Sequence, residues 1–131
     1  MCIRDRDISL RKMFKRALAK VNKRCQFVKI TGEHPIYHCY FDFDSPPENQ
    51  GGGSRYNPDY LIGIAVDDRL VGVICYCAIG RRWQDFGDSY GNIEGRINNT
   101  RALQFGVNLV VFALTQKGSI TNRLMDTISV K

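Results

Sequence analysis

The sequence predicts a single α/β domain, and three kinds of segment support that prediction. Residues 9–24 carry apolar side chains at the three- and four-residue spacing of a helix with one buried stripe. Short runs rich in β-branched residues, typical of strands, lie at 25–30, 59–66 and 69–77. A second helical pattern, apolar on two sides, spans 100–118. The chain therefore combines two helices with a group of strands between them.

The composition is that of a globular protein. A chain of 131 residues with 44% apolar residues can bury one hydrophobic core without disulfides or metals. Its five cysteines are odd in number and form no C-x-x-C pair, which argues against a disulfide framework and against a zinc ribbon. We interpret them as reduced, mostly buried thiols.

The first six residues, MCIRDR, match the translation of a transposase adapter that is used to build sequencing libraries. Residues 1–6 are therefore interpreted as an artefact, and residues 7–131 as one truncated α/β domain, the C-terminal part of a larger one. Under this interpretation the first residues carry no targeting information.

Positive charge is concentrated at the start of the chain. The net charge is +6, and residues 1–30 contain ten Lys and Arg against two Asp, a charge of +8, so the remainder carries −2. In the helix predicted at 9–24, with Ser9 as N-cap, the cations lie opposite the apolar stripe. That stripe consists of Leu10, Met13, Phe14, Ala17, Leu18 and Val21. We interpret the cationic face as solvated because no aromatic residue marks it; membrane-surface contact is the alternative, and nucleic acid is not an expected partner.

The runs at 59–66 and 69–77 predict a β-hairpin with a two-residue turn at Asp67 and Asp68. Their nearly continuous apolar character indicates strands that are covered on both faces, as central strands of an α/β sheet are. Cys75 and Cys77 would share one apolar face of the second strand.

Two segments lack a regular pattern. Residues 45–58 contain adjacent prolines and three consecutive glycines, and we expect a flexible surface loop there. Residues 78–99 are rich in glycine, arginine and asparagine and contain the single tryptophan, Trp83.

The second helix is predicted to be deeply buried, with Asn98, Asn99 or Thr100 as N-cap and Gly118 as terminator. Its apolar residues form two stripes. One contains Leu103, Val107, Val110 and Leu114, and the other Ala102, Gly106, Leu109 and Ala113. A further short helix is expected in the tail after Gly118.

The stretch HPIYHCYFDFD, residues 34–44, contains both histidines, one cysteine and two aspartates, which raises the question of a metal or catalytic site. Pro35 moves the preceding His34 out of helical backbone angles, and the aromatic residues favour a strand or a turn. In a strand, Cys39 would point away from the face of the histidines. Because one strand rarely supplies a full ligand set, we assign no metal ligands.

In chain order, these elements resemble the second half of a bacterial family called domain of unknown function 4159. The residues that carry the resemblance are His34, Pro35, Ile36, Tyr37, Phe41, Asp42, Arg69, Leu70, Gly106, Val107 and Asn108. Asp68 stands where the family usually has glycine, which puts the turn type in question. The resemblance, from about residue 10 to 117, implies a fragment of a flavodoxin-like (class I glutamine-amidotransferase-like) layered domain with a β-hairpin and a buried C-terminal helix. It implies no established activity.

No catalytic or cofactor set is predicted. The glutaminase-like relatives take a nucleophilic cysteine from the first half of the domain and a histidine from the second, whereas no histidine follows His38. The glycine run lacks the Lys-Ser/Thr ending of a phosphate loop.

The expected function is therefore non-catalytic binding or scaffolding for a protein or small-molecule partner. In open α/β sheets, ligands lie beyond the carboxyl ends of the strands. The candidate ligand-binding residues there are His34, Asp42, Arg69, Trp83 and Asp85. The alternative is a hydrolase or amidotransferase-like enzyme whose nucleophile lies in a missing N-terminal half.

Overall fold

The computed structural model describes residues 3–21, 23–47, 58–76, 79–84 and 93–129. In chain order the elements are α1 (Ile3–Ala19), β1 (Cys25–Ile30), a short 3-10 helix (Pro35–Tyr37), β2 (Leu61–Val66), β3 (Arg69–Ile74), α2 (Ile79–Gln84), α3 (Ile93–Thr115) and α4 (Ile120–Ser129). The mixed α/β class is confirmed, as are the first strand and the short helix in the tail.

The three strands form an antiparallel sheet in the order β1-β2-β3. β1 pairs with β2 along its whole length, from Cys25 opposite Val66 to Ile30 opposite Leu61. β2 and β3 form the predicted hairpin, with a register irregularity at Ile64 and the following residue. Within the described part of the chain, β2 is the central strand and β3 lies at an edge. Among the described residues, the prediction that both hairpin strands are central therefore holds for β2 and not for β3.

The turn of the hairpin has left-handed backbone angles at both of its residues. The φ angles of Asp67 and Asp68 are 50° and 60°. Positive φ at both central residues defines a type I′ turn, whose twist matches that of the two strands. Aspartate is one of the few residues that enter this region readily, so Asp68 keeps the turn that glycine would form. An ion pair of Lys23 with Asp67 ties the end of the α1–β1 connection to this turn.

The core lies between one face of the sheet and α3. Its buried members are Ile30, Ile36, Tyr37, Phe43, Leu61, Ile79, Ala102 and Phe105. The ring of Phe105 is fully buried at the centre, with its centroid 5.5 Å from that of Tyr37 and 5.2 Å from that of Phe43. The aromatic residues of the 34–44 stretch thus fill the space between sheet and helix.

Helix α1 covers the other face of the sheet, but only in part. Arg11 and Lys15 lie over the ring of Phe27, which alternates with Ile30 and so points away from the core. The predicted apolar stripe is not wholly buried. Met13 is 55% exposed and Val21, just beyond the helix, is 63% exposed. Only the row Leu10, Phe14 and Leu18 is half-buried.

Helix α3 is buried on one side only, so the prediction of burial on both sides is wrong. Ala102, Phe105 and Asn108 are buried against the core. On the opposite side Val107, Val110 and Leu114 are exposed, because no described element lies over them.

Both long helices begin earlier than the capping patterns predict. Ser9 lies inside α1, and the expected caps of the second helix lie inside α3. α3 ends at Thr115, and Gly118 has a positive φ of 77° in the turn that follows, as its role as terminator requires.

Cys75 is partly buried just after β3. The glycine run of the expected 45–58 loop and Cys77 lie outside the described residues. No helix in the described ranges is both long and apolar enough to cross a bilayer.

Candidate functional site

The 34–44 stretch forms a 3-10 helix and turns rather than a strand. His34 has extended angles, φ −73° and ψ 139°, and its Nδ1 accepts a hydrogen bond of 3.2 Å from the backbone N–H of Ile36. Pro35 occupies the first turn, where its missing N–H costs nothing. The ring of His34 lies 5.3 Å from that of Phe112. His34 is thus an N-cap that rests on α3.

Asn108 fastens this stretch to α3. Its side chain is fully buried, and its Nδ2 donates to the carbonyl oxygens of Ile36 at 3.1 Å and Phe41 at 2.7 Å. Its Oδ1 accepts from the backbone N–H of Phe41 at 2.8 Å. One amide therefore satisfies three backbone groups of a segment that has no strand partner. We call these contacts the Asn108 clamp.

Cys39 lies inside the same turn and is not set up as a nucleophile. Its Sγ lies 3.2 Å from the carbonyl oxygen of Asn108 and 3.9 Å from that of Ile36. Burial raises the pKa of the thiol, which lowers the fraction of reactive thiolate. Among the described residues, no group of three His, Cys, Asp or Glu side chains is arranged to hold a metal ion.

His38 and Asp42 form an exposed clasp across the stretch. His38 Nδ1 lies 3.1 Å from Asp42 Oδ1, and its Nε2 lies 2.6 Å from the carbonyl oxygen of Gly32. Both partners are acceptors, so this geometry fits the doubly protonated imidazolium, which donates from both nitrogens. The bond to Asp42 and then the bond to Gly32 raise the pKa of His38. The 92% exposed carboxylate of Asp42 and the nearby Asp44 are the charged groups around it.

We expect the pKa values of the two histidines to lie on opposite sides of the ordinary value of 6.5. The pKa of His38 lies above it, and burial lowers the pKa of His34 below it. Because the folded pKa of His38 is raised, the stability that it contributes is complete below pH 6.5 and is lost as the pH rises through the folded pKa. NMR titration of the ring protons measures both values.

Asp42→Asn supplies the matched control for that titration. It removes the carboxylate but keeps an oxygen acceptor, so the pKa of His38 should fall while that of His34 stays unchanged. Two histidines that titrate together in the wild-type chain would contradict the clasp.

Arg101 is a site residue that the sequence patterns did not single out. Its guanidinium lies 3.9 Å from the centroid of the buried Phe43 ring. Its Nη2 donates to the carbonyl oxygen of Asp42 at 3.0 Å, and its Nη1 to Gln104 Oε1 at 3.1 Å. In the sequence, Arg101 stands one helical turn before the aromatic Phe105. That spacing by itself does not predict a contact with residues 42 and 43.

Trp83 anchors α2 to α3. Its Nε1 donates to the carbonyl oxygen of Ala102 at 2.8 Å. A Cβ on Gly106 would lie 3.2 Å from the indole ring, so the glycine lets the ring approach the helix backbone closely. This contact gives Gly106, one of the residues that carry the family resemblance, a packing reason. Trp83 still keeps 42% of its surface exposed.

Arg69 connects the hairpin to the end of α3. Its Nη1 donates to the carbonyl oxygen of Gly118 at 2.9 Å, and Gln116 Nε2 donates to the carbonyl oxygen of Leu70 beside it. Arg69 Nε is buried without a hydrogen-bond partner among the described residues. Asp85, the remaining candidate, lies outside the described residues.

The four described candidates are all held by α3 or the turn after it, but at different heights. Asp42 is held beside Arg101, whereas His34 rests on Phe112. These two residues of α3 are eleven positions apart, which is about 16 Å along the helix. Arg69 lies further along, at Gly118. The described contacts therefore distribute the candidates along α3 and do not gather them at one ligand-binding site.

The fold and these contacts define a small mixed α/β domain in which one long helix organises a hairpin and a turn-rich segment. The chain belongs to the family Domain of unknown function (DUF4159), whose model matches residues 1–114. The match covers the sheet, the Asn108 clamp and nearly all of α3, and it ends before α4. Neither a curated protein nor a solved structure matched the chain.

Proposed function

We propose that this chain is a non-catalytic binding or scaffolding domain. The observation that carries the proposal is that the reactive side chains of the 34–44 stretch are engaged in holding the chain itself. His34 is an N-cap, Cys39 faces two carbonyl oxygens, and His38 bridges Asp42 to Gly32. A cysteine nucleophile is activated by an adjacent base or by a lowered pKa, whereas Cys39 faces two carbonyl oxygens and burial raises its pKa.

For the fold, we propose a flavodoxin-like layered domain of the glutaminase type. Its support is the covering of one sheet face by α3 and of the other by α1. Such sheets are largely parallel but commonly carry antiparallel strands at their margin, and β1, β2 and β3 would form that margin. A structure of the chain with its flanking sequence that shows no parallel neighbour for β1 or β3 would contradict this.

We propose the exposed members of the predicted set as ligand contacts. Asp42 presents a carboxylate that is held in place by His38, and Trp83 presents part of its ring. His34 and Arg69 act mainly as supports through their contacts with Ile36 and Gly118.

Thiol labelling tests the non-catalytic role. Iodoacetamide should alkylate Cys39 more slowly in the folded chain than in the urea-unfolded chain, because burial raises its pKa and reduces the thiolate fraction. Mass spectrometry of the peptides measures both rates, and the unfolded chain is the matched control. Faster labelling of Cys39 in the folded chain would contradict the proposal, because it would make Cys39 itself a candidate nucleophile.

A further inference from the structure

We propose that the outward face of α1 docks the domain on an anionic lipid membrane. We define this face, the α1 cationic face, by the exposed residues Lys12, Arg16 and Lys20. Within the described chain, none of the three forms an ion pair with an acidic side chain. The inference gives the proposed binding role a partner of definite chemistry.

The three cations form one row, in which Lys12 and Arg16 lie in α1 and Lys20 directly follows its last residue, Ala19. Residues four apart on a helix are offset by only about 40°, so Lys12 and Lys20 lie within about 80° of each other and about 12 Å apart. Because α1 turns its half-buried row Leu10, Phe14 and Leu18 toward the sheet, the cationic row points away from the domain. A flat anionic surface can therefore contact all three at once.

Apolar side chains border the cationic face on both sides. At about 100° per residue, Ile8 falls at one border and Met13 at the other, and they are 46% and 55% exposed. Val21 is exposed just past the end of the helix. An interfacial helix places such side chains at the boundary between head groups and acyl chains, which favours a lipid surface. Phosphates of a nucleic acid would satisfy the cations but would leave these apolar side chains in water.

The positive charge of the chain is concentrated in the segment that contains α1. Residues 1–30 carry +8, whereas the remaining residues carry −2. Membrane contact through α1 therefore brings the positive part of the chain to the lipid and keeps the slightly negative remainder away from it. Each Lys or Arg close to an anionic bilayer strengthens binding by about fivefold.

Vesicle co-sedimentation of the full chain tests the proposal. The chain should bind phosphatidylcholine vesicles that contain phosphatidylserine, should bind pure phosphatidylcholine vesicles much more weakly, and should be released by salt. Replacing two cations of the face, Arg16→Gln with Lys20→Gln, should weaken binding by about 25-fold. The matched control, Lys29→Gln with Lys117→Gln, removes the same charge outside the face and should change binding by no more than about twofold.

Met13→Ser separates a lipid from a nucleic acid. It should weaken vesicle binding severalfold and leave any binding to duplex DNA unchanged, because the methionine side chain contributes only in lipid. Three results would each overturn the proposal. The chain could bind neutral and anionic vesicles equally well, or the control pair could lose as much binding as Arg16→Gln with Lys20→Gln. The third is tighter binding to DNA than to vesicles, with no effect of Met13→Ser on either. The vesicle result is independent of the labelling of Cys39, so a failure here is distinguishable from a failure of the non-catalytic role.

Discussion

Replacing Asn108 with leucine should lower the free energy of unfolding by about 3–5 kcal/mol. The change keeps the volume of the side chain similar but removes the Asn108 clamp. The N–H of Phe41 and the carbonyl oxygens of Ile36 and Phe41 then lose the Asn108 amide as a hydrogen-bond partner in a buried environment. Urea denaturation monitored by circular dichroism measures the difference.

Asn108→Asp tests the clamp more specifically, because it replaces only the donor group, Nδ2, with an oxygen. The carboxylate can still accept from the N–H of Phe41, but its second oxygen faces the carbonyl oxygens of Ile36 and Phe41, which are acceptors too. The new group is buried among acceptors, so its folded pKa rises above its unfolded value of about 3.9. The loss of stability should therefore be smallest in acid and grow as the pH rises.

Asn122→Leu is the control for both changes. Asn122 is only half-buried in α4, and the described hydrogen bond of that residue uses its backbone N–H. Its replacement should alter stability by no more than about 0.5 kcal/mol. An Asn108→Asp chain as stable as the wild type at neutral pH would contradict the clamp.

Gly32→Ala should be the second large effect, with a loss of about 3 kcal/mol. A Cβ on Gly32 would lie 2.0 Å from the carbonyl oxygen of Asp44 and 2.9 Å from its carbonyl carbon. Both atoms belong to the backbone, so the clash cannot be relieved by a rotamer change. The displaced loop should also weaken the bond from His38 to the carbonyl oxygen of Gly32, and so lower the pKa of His38.

Gly80→Ala makes the same chemical change where there is room. A Cβ on Gly80 in α2 meets no atom within 4 Å, so the variant should gain up to about 1 kcal/mol from helix propensity. Thermal unfolding of both variants measures the contrast. Equal stability of the Gly32→Ala and Gly80→Ala chains would show that the 32–44 segment is not packed as described.

Patterns within a few residues of each other predicted the regular elements well. β1 and the hairpin turn follow from local β-branched runs and from a two-residue polar break. The helix starts were misplaced because Ser9 and Asn98 are good caps by type but lie inside helices. A capping residue predicts a helix start only when the helix does not continue on its N-terminal side.

The site was less predictable because its contacts join distant parts of the chain. Asn108 was singled out as part of a family motif, but its partners lie 67 to 72 residues earlier. Arg101 contacts residues 42 and 43 across a similar distance. The aromatic residues of the 34–44 stretch favour a strand by propensity, yet no neighbouring strand pairs with that stretch among the described residues. The Asn108 clamp supplies the backbone partners that a strand neighbour would have supplied.

The left-handed turn at Asp67 and Asp68 determines which substitutions the hairpin can tolerate. Glycine or asparagine at either position keeps the same backbone handedness, so such exchanges preserve the alignment of the two strands. A β-branched residue would leave that region and favour a longer loop. A slip of one residue would then turn every side chain of β3 to the opposite face of the sheet, including Leu70 and Val73, which pack on the core. Variation at these two positions is thus limited first by backbone handedness.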